Sequence, residues 1–347
     1  MTVRGPIRLG MVGIGRAIWG MHCPELEGRK DKFVVVAACD TIAERRAQMA
    51  ERYGCKTYER VEDLVLDPDV EIVDIATRSI DHFAHAKLAF EAGKDVLIEK
   101  PMCVSYDEAS RLVEIAEKCG KRLFVRHNRR FEPSFQHIRE IIDSGLLGDV
   151  REIKLRRVGF QRRDDWQTLK SSGGGQLLNW GPHIIDHGLR LLGAPLASQF
   201  SDLKLIAALG DAEDHLKIVL RGENGRIVDI EISGGAAIGG PEYLVWGSRG
   251  ALSCKGSDIR MKYLDPNVPL EDRAADPGTP GTTFGTPEKL QWLDETFPAK
   301  PELAVDMNSI WDHIYQSYRE GAPFPITTEE ALEVMNVVSA AKEGAGF

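Results

Sequence analysis

The sequence predicts a two-domain protein in which an α/β unit with a parallel sheet precedes a unit built on an antiparallel sheet. Apolar runs of strand length alternate with helix-like segments from 7 to 125, as in consecutive βαβ units. From 150 onward several strand-like runs follow one another without a helix between them, which favours antiparallel pairing. A glycine-rich turn joins the first strand to the first helix. We therefore assign 1–130 to the first domain and 131–347 to the second.

The predicted elements follow from the length and periodicity of the apolar runs. In the first domain, strands are predicted over 7–12, 33–39, 72–75, 96–98 and 123–125, and helices over 43–53, 61–66, 82–92 and 106–119. In the second domain, a helix over 135–144 precedes strands over 150–160, 203–208, 216–220, 226–232 and 243–246. The tail is predicted to be helical over 302–318 and 328–341, and the stretch 265–286, rich in Pro, Gly and Asp, predicts a long surface loop.

Composition excludes several classes of protein. The chain has 347 residues, 43% of them hydrophobic, which suffices for about two buried cores. A net charge of -9 argues against nucleic-acid binding. The six cysteines are scattered without paired spacing, and no apolar stretch is long enough to cross a bilayer. We expect a cytoplasmic enzyme with reduced thiols and with no membrane or nucleic-acid partner.

The turn Gly13-Ile14-Gly15 is a candidate phosphate-binding loop. It follows the first strand and opens a helix, where small residues let the backbone approach a pyrophosphate. The strict fingerprint is not met, because Ile18 stands where a third glycine is expected. A glycine motif alone is weak evidence, but its position between a strand and a helix strengthens it.

Asp40 ends the second predicted strand, where a carboxylate accepts hydrogen bonds from ribose hydroxyls and repels a 2′-phosphate. NAD is therefore predicted in preference to NADP, although Arg45 could moderate this, and Asp40 could instead only form a turn. The other residues predicted to border the cofactor are Arg16, Ala17, Ile18, Thr41, Arg45, Thr77, Arg78, Ser79, His82, Glu99 and Lys100. For Ser79 and His82 the alternatives are helix capping and packing, and a metal site with His85 is disfavoured because a third ligand is not evident.

Lys100 is the first candidate catalytic residue. Glu99-Lys100-Pro101 ends an apolar run, and ligands of open α/β sheets lie beyond the carboxyl ends of the strands. A lysine held there by the following proline would present its ammonium to the chemistry. The alternative is a solvated lysine at the end of a strand.

His183 is the second candidate, in a segment that begins with three glycines, 173–175. Pro182 suits the first turn of a helix, whose dipole lowers the pKa of a histidine there and favours a neutral ring that accepts a proton. The predicted roles are proton transfer by His183, stabilisation of a developing alkoxide by Lys100 and orientation of a hydroxyl by Asn179. The alternatives are a buried His183 hydrogen-bonded to Asp186, and a metal site with Asp186 and His187. We predict no metal.

These motifs, in this order, resemble those of the Gfo/Idh/MocA oxidoreductase family. The resemblance extends over nearly the whole chain and includes the glycine loop, Asp40, the strand end at Thr77, Glu99-Lys100-Pro101, 128–131 and the segment 173–186. It implies a Rossmann domain followed by an α+β domain with a large, mostly antiparallel sheet whose open face forms a homodimer or homotetramer. It also implies a nicotinamide cofactor, a sugar or cyclitol substrate, and Lys100 and His183 as catalytic residues. Asn179 departs from the family, which commonly has Asp there, so a relay of Lys100 and His183 is predicted rather than a carboxylate-assisted triad.

Substrate contacts are predicted for Lys100, Asn179 and His183 and for residues near them. Arg163, Asp165 and Trp166 lead into the glycine run and offer a cation, a carboxylate and a flat face for a sugar ring, unless they form only a charged surface loop. Arg126 and Asn128, at the end of the last parallel strand, complete the set. A surplus of arginines in this region, Arg156, Arg157, Arg162 and Arg163, hints at an acidic sugar or forms a solvated strand face.

Three functions remain open from the sequence. The first is an NAD-dependent dehydrogenase acting on a secondary alcohol of a sugar, glycoside or cyclitol. The second is cleavage of a glycoside by oxidation and re-reduction, with NAD recycled in each turnover. The third is a non-catalytic regulator that binds NAD, which the presence of both Lys100 and His183 disfavours.

Overall fold

The computed structural model describes residues 5–278, 281, 285, 287–300, 306–345 and 347, and it contains two sheets that confirm the predicted fold class. The first sheet is parallel, with strand order β3-β2-β1-β4-β5-β6, the order of a Rossmann fold. Its strands are β1 Ile7–Val12, β2 Phe33–Cys39, β3 Lys56–Tyr58, β4 Ile72–Ile75, β5 Asp95–Ile98 and β6 Leu123–Val125.

The strands from β4 to the edge strand β6 are covered on both faces. All residues of β4, β5 and β6 are buried, as expected for the continuous apolar runs of a parallel sheet between two helical layers. The helices are α1 Cys23–Glu27, α2 Ala43–Tyr53, α3 Val61–Val65, α4 His82–Glu91 and α5 Tyr106–Lys118. The sequence does not predict β3, which is a three-residue edge strand with no buried residue.

The second sheet has eight strands in the order β14-β13-β12-β11-β7-β10-β9-β8. Only the pair β7 and β10 is parallel. The strands are β7 Val150–Val158, β8 Leu196–Lys204, β9 His215–Gly222, β10 Ile227–Ser233, β11 Tyr243–Gly247, β12 Gly250–Lys255, β13 Asp258–Leu264 and β14 Trp292–Pro298. The helices of this half are α6 Pro133–Asp143, α7 Gln176–Asn179, α8 Gly181–Leu192, α9 Ser309–Tyr315 and α10 Thr328–Ala345.

The two faces of this sheet differ. Its inner face packs apolar side chains such as Ile153, Ile218 and Ile230 into the core that also contains Ile185 of α8. Its outer face has cross-strand ion pairs, such as Lys217 with Asp229. Three exposed aromatic side chains lie on the same outer face: Phe200, Trp246 and Trp292.

Several predicted bounds in the second half are wrong. The strand expected over 203–208 is β8, which ends at Lys204, because 205–208 form a turn held by the Asp214 carboxylate. Strands β12 to β14 are not predicted at all. The expected helix over 302–318 is present only from Ser309 onward; residues 302–305, and the loop residues 279–280, 282–284 and 286, lie outside the described residues.

The C-terminal helices return to the first sheet. Ile310, Trp311 and Ile314 of α9 belong to the same apolar cluster as Ile7 and Leu9 of β1. Helix α10 packs against both α5 and α8. The two sheets are therefore joined by α9 and α10 as well as by the chain between β6 and β7. In the described part of the chain, none of the helices is long and apolar enough to cross a membrane.

Candidate active site

The glycine loop brings β1 against the end of β4. Gly13 has φ +87°, and a Cβ atom there would lie 2.8 Å from the Thr77 side chain and 2.9 Å from the Ala76 carbonyl oxygen. Glycine is therefore required at this position, whereas the space around Gly15 is open. Arg16 next to it is exposed and Ala17 is half-buried. A backbone this open beside the strand ends fits the pyrophosphate of a dinucleotide.

Ile18, which replaces the third glycine and was predicted to border the cofactor, is fully buried in the core, so this contact is not supported. The segment Ile18–His22 forms one turn of π-helix rather than α-helix, which continues into α1. The wider turn accommodates a large side chain at this position, and it carries His22 to the interior of the protein.

Asp40 lies at the end of β2, beside the glycine loop. Its Oδ2 accepts a hydrogen bond from the Ile14 amide at 2.8 Å, and its Oδ1 accepts one from the Ile42 amide at 2.9 Å. The Arg45 guanidinium is 3.4 Å from Oδ2, while Thr41 is exposed beside it. The carboxylate is thus fixed at the edge of the sheet where a ribose of the cofactor would lie.

The strand ends of β4 and β5 form the adjoining part of this edge. Thr77 Oγ1 lies 3.2 Å from the His85 ring, Ser79 is buried and Arg78 is exposed. His82 is buried, with one ring nitrogen 2.7 Å from the Pro101 carbonyl oxygen and the other 3.3 Å from that of Thr77. Since both of its nitrogens face main-chain carbonyls, His82 holds two strand ends together, and the predicted cofactor contact is not supported for its ring.

A break between α7 and α8 places Lys100. In an uninterrupted helix the Asn179 carbonyl would accept a hydrogen bond from the His183 amide. Instead, the amides of His183 and Ile184 both donate to the Trp180 carbonyl, at 3.1 and 3.2 Å. The freed Asn179 carbonyl oxygen accepts a hydrogen bond from Lys100 Nζ at 2.9 Å. Residues 79 positions apart are joined in this way, and the bonded carbonyl belongs to the residue four positions before His183.

His183 lies in the first turn of α8, as predicted, and is buried. Its Nδ1 has no hydrogen-bond partner among the described residues. Burial, followed by the positive charges of Lys100 and Arg129, lowers its pKa well below the usual value. The ring is therefore neutral at pH 7 and can accept a proton, while the unpartnered Nδ1 is itself enclosed by the protein.

The pKa of Lys100 is lowered to about 8. Burial is the main cause, and the charges of Arg129, Arg16 and Arg126 act in the same direction, whereas Glu99 acts against them. Near neutral pH the amine is thus mostly protonated, yet it loses its proton far more readily than an exposed lysine. A cation next to a neutral histidine suits proton transfer from an alcohol with charge stabilisation.

Asn179 also contacts the loop predicted to bind substrate. Its Oδ1 lies 3.4 Å from Gln167 Nε2, and Gln167 accepts a hydrogen bond from Arg163 at 2.6 Å. Arg163 forms a two-point ion pair with Asp165, at 2.8 and 2.9 Å. The half-buried Trp166 begins a short 3-10 turn in this loop. The loop therefore orders Asn179 through a chain of hydrogen bonds, and its own charges neutralise each other.

Two predictions for substrate contacts are not supported. Arg126 is fully buried and forms ion pairs with Glu99, at 3.0 Å, and with Glu25. Its guanidinium lies inside the first domain, so we withdraw it as a substrate ligand. Asn128 is buried in a 3-10 turn after β6.

The prediction of an acidic sugar as substrate, which was based on the surplus of arginines, also loses support. Arg156 pairs with Glu231, and Arg157 pairs with Glu132 and Glu242. These arginines therefore have carboxylate partners within the protein.

The alternatives considered for the histidine segment are not realised either. Asp186 is buried and bonded to Arg130 rather than to His183. His187 contacts the Tyr243 hydroxyl at 3.0 Å and the Arg129 carbonyl oxygen at 2.9 Å. Within the described ranges no group of three His, Cys, Asp or Glu residues could hold a metal ion.

The structure adds residues that the sequence reasoning missed. His127 is buried, its Nδ1 has no partner in the described part of the chain, and its pKa is lowered to about 4 by burial and partly by Arg130 and Lys100. The Arg129 guanidinium stacks on the Trp180 ring, 4.3 Å from its centroid. His127 directly follows β6, next to β5 in the sheet, so its position after a strand end was an available signal.

Comparisons with known proteins agree with this architecture. Residues 7–127 match a family described as "Oxidoreductase family, NAD-binding Rossmann fold", and residues 135–253 match the GFO/IDH/MocA C-terminal domain. The chain is 26% identical over 343 residues to scyllo-inositol 2-dehydrogenase (NADP(+)) IolW of Bacillus subtilis, covering 97% of this chain and 93% of the relative. It is 28% identical to D-glucoside 3-dehydrogenase of Escherichia coli, over 55% of each chain.

Solved structures share the fold over the whole length. An NAD-binding protein from Listeria innocua superposes with a TM-score of 0.83 at 25% identity, covering 98% of this chain and 95% of that one. A biliverdin reductase from Synechocystis, at 19% identity and a TM-score of 0.79, shares the fold alone and covers 99% and 100% of the two chains. The chain belongs to the Gfo/Idh/MocA family of oxidoreductases, which have an NAD-binding Rossmann domain.

Proposed function

We propose that this protein transfers hydride between a nicotinamide cofactor and a secondary alcohol or ketone of a sugar, a sugar glycoside or a cyclitol. The observation that carries the proposal is the pairing of Lys100 with His183. The lysine bonds to the carbonyl oxygen one turn before the histidine, and the histidine keeps an unpartnered, buried nitrogen. A bound nicotinamide would accept or supply the hydride at this edge of the sheet.

The residues divide the chemistry between them. Neutral His183 takes the proton of the substrate hydroxyl at a ring nitrogen, because its low pKa keeps the ring unprotonated. The Lys100 ammonium stabilises the negative charge that develops on the same oxygen. The Asn179 amide, with its oxygen directed toward Gln167, orients a neighbouring hydroxyl. In the direction of ketone reduction the same groups return the proton.

A small hollow beside Asn179 offers polar groups to a ligand but is too narrow for a whole sugar ring. Its lining includes Gln161, Gln167, Gln176 and Asn179 together with the charged Arg163, Glu213 and Asp214. The buried Oε1 of Gln176 has no partner in the described part of the chain. Amide groups donate and accept hydrogen bonds without charge, which suits neutral hydroxyls. The relatives named for inositol and glucoside substrates are consistent with this class.

We propose NAD rather than NADP as the cofactor. Asp40 is fixed by two amides at the ribose end of the site, where its charge would repel a 2′-phosphate. The proposed contacts of the cofactor are with Gly13, Ile14 and Gly15 at the pyrophosphate, Asp40 and Thr41 at the ribose, and Thr77 and Arg78 at the strand ends. The Bacillus relative is named for NADP, so this proposal needs its own measurement.

We further propose that the outer face of the second sheet joins copies of this chain. Phe200 is 61% exposed, Trp246 43% and Trp292 44%. Aromatic side chains of this size on one face of a sheet are typical of a protein interface. Light scattering coupled to size-exclusion chromatography would measure the mass, with a dimer or tetramer expected; a monomer would contradict this proposal.

The enzymatic proposal is tested with purified protein, NAD and a panel of sugars, glycosides and cyclitols. Absorbance of the reduced cofactor should rise with at least one of them, and Lys100→Met should abolish the rise. Product formed from a glycoside without net reduced cofactor would instead favour cleavage with NAD recycled. Binding of NAD with no turnover of any substrate would contradict the proposal and favour a regulator.

A further inference from the structure

A cluster of buried ionisable groups lies inside the first domain, next to Lys100. It consists of His22, Asp74, Glu99, Arg126 and Glu25, and we call it the buried charge cluster. Glu25 and Glu99 keep a little exposure, whereas His22, Asp74 and Arg126 have none. Removing so many charges from water is costly, and a chain that keeps them there invites a functional explanation.

Glu99 is the member of the cluster that adjoins the active site. Its Oε1 lies 3.0 Å from His22 Nε2 and accepts a hydrogen bond from Arg126 at 3.0 Å. Its Oε2 accepts a hydrogen bond from the main-chain amide of Lys100 at 3.1 Å. Both oxygens are thus occupied, and the Lys100 ammonium bonds to Asn179 instead of to the neighbouring carboxylate.

His22 connects Glu99 to the centre of the sheet. Its Nδ1 lies 2.7 Å from Asp74 on β4, and its ring packs edge-on against Trp311, with centroids 5.5 Å apart. Burial lowers the pKa of His22, but the Asp74 and Glu99 carboxylates outweigh burial and the charge of Arg126, and the pKa rises to about 9. His22 is therefore a cation at pH 7, with one carboxylate on each ring nitrogen.

Arg126 holds Glu99 from the other side. It reaches Glu25, which also accepts a hydrogen bond from the indole nitrogen of Trp311 at 2.7 Å. Against the burial that would raise it, Arg126 and His22 hold the pKa of Glu99 far below its usual range. Glu99 is therefore ionised next to Lys100 without forming an ion pair with the ammonium.

We infer that His22 and Arg126 are positioning residues, which hold Glu99 away from the Lys100 ammonium so that the ammonium stays free for a substrate oxygen. The inference rests on the proposed function, because that function supplies the substrate oxygen that Lys100 would contact. In this arrangement Glu99 supports the charge of Lys100 from a fixed position, while the Lys100 side chain keeps the two donors that Asn179 does not use.

The test measures the pKa of Lys100 directly. The rate at which acetic anhydride labels Lys100 is followed by mass spectrometry as a function of pH, in the full-length protein without substrate. The charged groups facing Lys100 are Glu99, Arg129, Arg16 and Arg126. Glu99→Gln removes the anion among them, so the labelling midpoint should move down by about one pH unit.

His22→Asn and Arg126→Gln should move the midpoint in the opposite direction. Each removes a cation and one of the two groups that hold Glu99, so the carboxylate can turn toward the ammonium and stabilise it. The double variant His22→Asn with Glu99→Gln should behave like Glu99→Gln alone, because the effect passes through Glu99. His22→Gln, whose longer side chain can place its amide donor where Nε2 faces Glu99, should stay closer to the parent protein than His22→Asn. His215→Asn in the second sheet serves as the control.

Two results would overturn the inference. One is an unchanged midpoint in both His22→Asn and Arg126→Gln, and the other is an upward shift in His22→Asn that is as large when Glu99 is absent. Arg126 also lowers the pKa of Lys100 directly, so for Arg126→Gln only the part of the shift that disappears in the double variant with Glu99→Gln counts. If His22→Asn does not fold, that difference still decides. Because labelling needs no turnover, a protein that shows these shifts but oxidises no sugar or cyclitol would contradict the proposed function and not the positioning.

Discussion

The Lys100 ammonium donates a hydrogen bond to the main-chain carbonyl oxygen of Asn179, not to its side chain, at 2.9 Å. This carbonyl is available only because the helix is interrupted at Trp180, so the backbone of the second domain determines where the lysine of the first domain points. At the candidate site this hydrogen bond links the two halves of the chain, and the side chain at position 179 can vary without releasing the lysine.

Lys100→Met should lower kcat/KM for oxidation of the alcohol by ~10²- to 10³-fold, the usual effect of removing one donor that stabilises a developing oxyanion. Binding of NAD, followed by protein fluorescence, should change little. Lys118→Met is the matched control, since Lys118 is exposed and pairs only with Glu114 one turn away. Equal activity in the two variants would exclude Lys100 from the chemistry.

The pH profile of kcat/KM for alcohol oxidation should be bell-shaped. The reaction needs His183 neutral and Lys100 protonated, so activity falls in acid as the ring gains a proton and falls in alkali as the amine loses one. The lower limb should lie well below pH 6.5, and the upper limb near the lysine's pKa of about 8. A profile that instead rises through pH 8 to a plateau would assign the role of base to Lys100.

Variants of Asn179 can separate the role of its side chain from that of its main-chain carbonyl, which holds Lys100. Asn179→Ala keeps the carbonyl that holds Lys100, so we expect a loss of only ~10-fold in kcat/KM, from the missing hydrogen bond to a substrate hydroxyl. Asn179→Asp places a carboxylate near both catalytic groups and favours their charged forms, so both limbs of the pH profile should move to higher pH. Unmoved limbs in Asn179→Asp would show that the side chain at 179 does not face the pair.

Much of the fold could be predicted from the sequence because its first sheet consists of continuous apolar strands. Strands such as β4 and β5 are buried throughout. Their short, mostly apolar runs can be recognised without tertiary information. Strand β14 exposes nearly all of its residues, so its sequence resembles a loop, whereas β12 and β13 alternate buried with less buried residues, an available strand signal that was missed. They form because each pairs with its neighbour in the sheet.

Residues of the candidate site could be predicted where their position depends only on the strand or helix that carries them. Lys100 at a strand end and His183 at a helix start are of this kind. His22 is not, because its partners Asp74 and Glu99 are 52 and 77 residues away and the π turn that directs it inward has no simple signature. Arg126 was assigned wrongly because a strand-end position does not say whether its side chain points to the crevice or into the core.

Asp40→Ser should relax the preference between cofactors. Loss of the carboxylate removes the repulsion of a 2′-phosphate, so Kd for NADP should fall relative to Kd for NAD by ~10-fold or more. Both affinities are measured by titration of protein fluorescence. Arg45→Ala is the companion variant, because it removes the cation 3.4 Å from Asp40 and should shift the ratio toward NAD. A ratio unaffected by either change would place the ribose elsewhere.

Asp186→Asn should destabilise the protein more than it alters the chemistry of His183. Asp186 is fully buried and holds the Arg130 guanidinium, so the variant leaves a buried cation with only Glu330 and a main-chain carbonyl as partners. Breaking a buried pair costs ~3 to 5 kcal/mol, and the remaining partner Glu330 favours the lower end.

The exposed pair of Asp149 with Arg151 is the control, for which Asp149→Asn should cost less than ~1 kcal/mol. Urea unfolding followed by circular dichroism measures both, and equal midpoints would contradict the importance of the buried pair. The lower limb of the pH profile should remain well below pH 6.5 in folded Asp186→Asn, because His183 makes no hydrogen bond to this carboxylate and owes its low pKa first to burial.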